Sequence, residues 1–191
     1  MNALTEMITQ QLAGSAVSQI SNQLGADQNT TGKAIGLAVP LLISALAHNS
    51  STPQGAQDLN QAVSEDHDGS ILENVQGYLG NPESADGAGI LSHILGDHRG
   101  DIENGISQRT GLDAGSTGQL LETVAPLVMG ALGKTQQDRG LDAGGLASYL
   151  DSQHQQAQNT APDVIGMLSN ILGSEKSASP LGRLAAKFFG R

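Results

Sequence analysis

The stretch AVPLLISALAHN (38–49) is apolar enough for a buried helix, yet a proline sits inside it. The same pattern returns as VAPLVMGALGKT (124–135). A proline within a helix removes one backbone hydrogen bond and clashes with the preceding turn, at a cost of about 3 kcal/mol. At the first helical position it costs almost nothing, because that N–H has no helical partner. The cheaper arrangement is therefore a helix over roughly 28–38 and a second one beginning at Pro40; the alternative is one kinked helix whose bend packs against its neighbours. Pro40 and Pro126 are architectural in either case.

Superposing Pro40 on Pro126 gives an offset of 86 residues, at which Ile20, Ser21, Gly25, Asp27, Thr31 and Gly32 meet Ile106, Ser107, Gly111, Asp113, Thr117 and Gly118. Leu41, Ala45 and Leu46 likewise meet Leu127, Ala131 and Leu132. Self-similarity at a fixed period points to an internal duplication. The expected organisation is a first helical repeat over 1–80, a linker over 81–89, a second repeat over 90–173 and a basic tail over 174–191.

Within each copy the apolar spacing is helical. Ile8, Leu12, Val17, Ile20 and Leu24 recur every three to five residues, as do Leu72, Val75 and Leu79. Asp27 and Asp113 each follow a Gly-X pair and precede a helical stretch, the place of an N-cap. No segment alternates apolar and polar residues, and the chain has two Phe, two Tyr and no Trp, a poor supply for strands. An all-α array of ten to twelve short helices is expected, with a helix-turn-helix-like core in each half.

The net charge of −10 opposes a nonspecific grip on DNA or anionic lipid. That charge is uneven: residues 174–191 hold Lys176, Arg183, Lys187 and Arg191 against Glu175 alone. Without cysteine there is no disulfide framework, thiolate nucleophile or Cys-ligated zinc, which suits a reducing cytosol. The start MNALTEMITQQ lacks the basic and apolar regions of a signal peptide. The apolar run Ala34–Ala47 falls short of the ~20 residues of a membrane span. A soluble, cytoplasmic chain is expected.

The segments ISNQLGADQNTTGKAIGLAVPLLISALAHNSSTPQGAQDL (20–59), DHDGSILENVQGYLG (66–80), HILGDHRGDIENGIS (93–107) and TVAPLVMGALGK (123–134) resemble the bacterial domain-of-unknown-function family 937, related to the YidB-like proteins. The resemblance runs over about residues 4–173. It implies a bacterial, mostly helical protein and brings no activity, cofactor or catalytic residue.

Three constellations carry functional alternatives. The hairpins 15–36 and 102–122 have the layout of a DNA reader, offering Gln28, Asn29 and Lys33 in one copy and Gln119 in the other; the acidic body opposes phosphate binding. A His/Asp enzyme or metal site is the second alternative: His93 and Asp97 would share a helical face, with His98 beside them, and Glu65–Asp68 forms another cluster. Gly96 and Gly100 instead suggest a turn, where such side chains cap or are solvated. No catalytic triad, phosphate loop or dinucleotide fingerprint is present, so neither catalysis nor a cofactor is expected. The tail SPLGRLAAKFFGR (179–191) is the third: Leu181, Leu184, Ala185 and Phe188 share a helical face, with Arg183, Lys187 and Arg191 elsewhere around it and Phe189 next to Phe188. It is a candidate docking segment for the acidic body, for a partner or second copy, or weakly for a membrane surface. The leading expectation is a non-catalytic interaction or assembly module.

Overall fold

In a computed structural model, described over residues 3–160 and 162–173, the chain is all-α. The described residues form α1 (Ala3–Gln11), α2 (Ser15–Leu24), α3 (Gln28–Asn49), α4 (Pro53–Asp66), α5 (Val75–Gly80), α6 (Gly87–Leu95), α7 (Arg99–Thr110), α8 (Ala114–Arg139), α9 (Ala143–Thr160) and α10 (Pro162–Gly173). Short 3-10 turns lie at Ser70–Asn74, Pro82–Ala85 and Gly96–His98. The span 81–89, expected to be a linker, is folded: it holds one of these turns and the start of α6.

Local signals place the entries of the long helices. Gly25 and Gly111 end α2 and α7 in left-handed backbone, with φ of 64° and 81°, a conformation that glycine adopts without a Cβ clash. Two residues on, Asp27 accepts hydrogen bonds from the Asn29 and Thr30 N–H groups at 3.0 and 2.9 Å. Asp113 accepts from the Ser116 N–H at 3.0 Å. These bonds satisfy donors that the first helical turn leaves orphaned and lower both carboxyl pKa values.

The expected break at the prolines does not occur. α3 runs unbroken through Pro40 for 22 residues and α8 through Pro126 for 26. The single-helix alternative holds, and the groups that the two prolines free meet different surroundings. An internal proline leaves the carbonyl four residues back without its helical donor, here those of Gly36 and Glu122. Gly36 is exposed, so water reaches it. Around Glu122 the covering is protein: Gly87 of α6 sits so close that a Cβ would collide with the Glu122 carbonyl oxygen, and the Tyr78 hydroxyl donates to the next carbonyl, Thr123 O, at 2.9 Å. Buried apolar packing offsets the remaining cost, since Val39, Leu41, Leu42, Val124, Ala125 and Leu127 all lie in the core. The whole of α3 is also longer than its apolar run: it has the length and hydropathy of a membrane span, with 67% of its most apolar window buried inside the fold.

The long helices pack against each other at the centre; α3 takes its most extensive flank from the opposite half of the chain, whereas α8 is flanked chiefly by α6 and α7 of its own half and also by elements of the other. α9 and α10 lie on α3, and α9 against α3 is the most extensive helix contact. α4 and the Ser70–Asn74 turn lie on α8. Polar ties follow the same exchange. The Gln136 amide of α8 donates to Asn60 Oδ1 of α4 at 2.7 Å, and the Leu4 N–H of α1 donates to Gln153 Oε1 of α9 at 3.2 Å. Ser116 Oγ donates to Leu24 O at 3.3 Å.

Candidate functional site: an acid-rimmed cleft

The exchange of α4 onto α8 leaves a cleft of about 1120 Å³ between α4 and α6. Leu59 and Ala62 of α4, Ile71 of the 3-10 turn, and Ile90 and Ile94 of α6 form apolar walls. Pro126 and Met129 of α8 lie at the floor beside Tyr78 and Leu46. The proline turn of α8 is therefore part of the floor as well as of the core.

Two glycine contacts bring the walls close to α8. A Cβ on Gly133 would collide with the His67 carbonyl oxygen, and one on Gly130 with Ile71 Cγ2. Larger residues there would lift the 67–71 segment off the helix. Asn49 ties the end of α3 to the end of α6, its side-chain amide donating to the Ile94 and His93 carbonyls at 2.9 and 3.3 Å.

Four aspartates line the cleft, and all are exposed: Asp58 and Asp66 on α4, Asp68 after it, and Asp86 before α6. Asp68 accepts from the Ser70 N–H at 2.9 Å, which holds its carboxyl below the usual range. Asp86 caps α6 by accepting from the Gly89 N–H at 3.2 Å, with its own backbone left-handed at φ 44°. That conformation strains most side chains and is best tolerated by Asp and Asn. His67 is half-buried; burial depresses its pKa, while Asp66 pulls the other way. Tyr78 is a committed donor, its ionisation pushed far up by burial. No Lys or Arg is among the described residues lining the cleft. Arg99 is occupied elsewhere, pairing with Glu103 and Glu122 at 2.6 Å each. Lys134 lies 3.6 Å from Asp138, and Arg139 stands over the Tyr149 ring.

The sequence candidates scatter. His93 is exposed on α6, its Nδ1 3.0 Å from Gly89 O, whereas Asp97 and His98 lie in the following 3-10 turn. Among the described residues no three His, Asp or Glu side chains gather into a group that could hold a metal ion. The helix that would read DNA in each hairpin is a core helix: Gln28, Asn29, Lys33 and Gln119 are exposed near its start, but most of α3 and α8 is buried. The tail residues Leu181, Arg183, Leu184, Lys187, Phe188 and Phe189 lie outside the described residues. Asp58, Asp86, Ile90 and Met129 were not singled out by sequence. Of the residues that sequence singled out, Asp66, His67 and Asp68 of the acidic cluster, His93 and Pro126 line the cleft.

A family model described as "Bacterial protein of unknown function (DUF937)" matches residues 6–135, more than half of the chain. No curated protein and no solved structure matches it.

Proposed function

The chain belongs to the bacterial protein family of unknown function DUF937, and on that premise we propose that it is a non-catalytic interaction module of the bacterial cytoplasm. Its cleft receives a cationic, amphipathic segment. The carrying observation is the combination of an apolar floor with a rim of four aspartates and no lining cation among the described residues. Apolar surface supplies the affinity of such a site, and charge supplies its selectivity and association rate. An amphipathic helix laid into a groove is a recurrent way of using this arrangement.

The body that carries the cleft is an internal duplication, in which α1–α3 and α6–α8 are corresponding units. The 86-residue offset, which pairs Asp27 with Asp113 and Pro40 with Pro126, supports that reading. Burial of α3 and α8 favours a scaffold over a DNA reader, which needs an exposed recognition helix.

The test is a titration of the full chain with a labelled designed Leu/Lys helical peptide, followed by fluorescence anisotropy. Binding that weakens about tenfold or more in the Asp58→Asn, Asp66→Asn, Asp68→Asn, Asp86→Asn chain, and with added salt, is the expected result. Asparagine keeps the capping oxygens while removing the charge. Equal binding by that variant, or none by either chain, contradicts the proposal.

A further inference from the structure

The cleft and the end of the chain have complementary chemistry. Of the nine Lys and Arg residues, four lie in 174–191, and both phenylalanines of the protein are there, adjacent at 188 and 189. The described body contributes no Phe, and three of its cations are engaged by other groups, Arg99 by Glu103 and Glu122, Lys134 by Asp138 and Arg139 by the Tyr149 ring. The cleft offers apolar walls without a cation, and the tail offers apolar side chains with a surplus of cations.

The spacing also agrees. Asp58 and Asp66 stand eight residues apart on α4, about 12 Å by helical rise. Arg183 and Arg191 are eight residues apart in sequence, with Lys187 midway. The periodicity of 181–188 predicts a helical face of Leu181, Leu184 and Phe188. A helix of the 13 residues 179–191 would be about 20 Å long, enough to place cations along α4 while that face meets Ile71, Ile90 and Met129.

We propose that the cleft is the docking site of the chain's own segment 179–191. This rests on the reading of the cleft as a receptor for a cationic amphipathic segment and names its occupant. Phe188 supplies the apolar anchor, and Arg183, Lys187 and Arg191 face the aspartate rim. An incoming partner must displace the segment, so the cleft is self-occupied until a competitor of the same chemistry arrives.

The absence of cysteine allows one nitroxide to be placed without background, on a Gly190→Cys full-length chain. Paramagnetic broadening is then read at the methyl groups of Ile71, Ile90 and Met129. The expected result is selective broadening there, reduced roughly threefold or more by Asp58→Asn with Asp66→Asn and abolished by Phe188→Ala with Phe189→Ala. In a sample mixing isotope-labelled and spin-labelled chains the broadening is expected to vanish; its persistence assigns the segment to a second copy and overturns self-occupation. Broadening centred on another face, or none, overturns it. The Leu/Lys peptide separates the two levels of the proposal. If it binds the cleft equally in the wild-type and Phe188→Ala, Phe189→Ala chains, the cleft is a receptor and the tail is not its occupant. If it binds neither, the receptor reading falls as well.

Discussion

α3 and α8 both carry an internal proline after an aspartate cap, but they answer it differently. In α3 the freed carbonyl belongs to exposed Gly36, and a Cβ there would meet nothing within 4 Å. In α8 it belongs to Glu122, and Gly87 and Tyr78 close over that region. Farther along, Gly130 and Gly133 of α8 receive the 67–71 segment at backbone distance, where the first half has Ser44 and Ala47 at the 86-residue offset. One helix is therefore closed by solvent and side chains, the other by close backbone approach that shapes the cleft. A similar sequence pattern can be supported by different tertiary contacts.

Glycine substitution should separate the two helices most strongly. Gly133→Ala and Gly87→Ala force a Cβ into a backbone carbonyl and should each cost about 1–3 kcal/mol or more in urea unfolding. Gly32→Ala and Gly36→Ala in α3 meet open space and should stabilise by about 0.5–1 kcal/mol. If all four changes have the same sign, the contrast fails.

The tyrosines sharpen the comparison at smaller scale. Tyr78→Phe removes the donor to Thr123 O in a buried setting and should lower stability by about 1–2 kcal/mol. Tyr149→Phe, half-buried and keeping its ring beneath Arg139, loses its side-chain hydrogen bond with Thr135 and should cost less, about 0.5–1 kcal/mol. Equal losses would show that the covering around Pro126 of α8 has no special weight. At the caps the helices should instead behave alike: Asp27→Ala and Asp113→Ala are each expected to lower Tm by about 2–4 °C.

The smallest effect is a pH slope. Burial depresses the pKa of His67 and His154 below 6.5 in the fold. The unfolded chain therefore binds more protons between each folded value and 6.5, and stability must fall as pH drops through that window. Above 6.5 the contribution is fully present. His67→Gln and His154→Gln should each flatten the decline of Tm between pH 7 and 5, and an unchanged slope in both would remove these histidines from the account.

The legible parts of the fold were those with local causes. Gly25 and Asp27, or Gly111 and Asp113, announce a helix end and a cap within three residues, and the structure places both ends there. Helix continuity through Pro126 was not legible, because Tyr78 and Gly87, about 40 residues upstream, cover the region the proline disturbs. The cleft was hidden for the same reason: Asp58, Asp86 and Met129 become neighbours only through the packing of α4 and α6 on α8. Glu65–Asp68 was visible as an acidic cluster, but its apolar walls were not.

Two halves of the chain complete each other: α9 and α10 lie on α3, and α4 and the Ser70–Asn74 turn lie on α8 beside its own α6 and α7. The chain has two tyrosines, one in each half, and no tryptophan, so each half can report its own unfolding. Tyr149→Phe leaves Tyr78 as the emitter, and Tyr78→Phe leaves Tyr149. In urea, tyrosine emission and far-ultraviolet circular dichroism should give one coincident midpoint within each variant. A tyrosine transition displaced from the helical signal in either variant would mean that the halves unfold separately, and would contradict the claim.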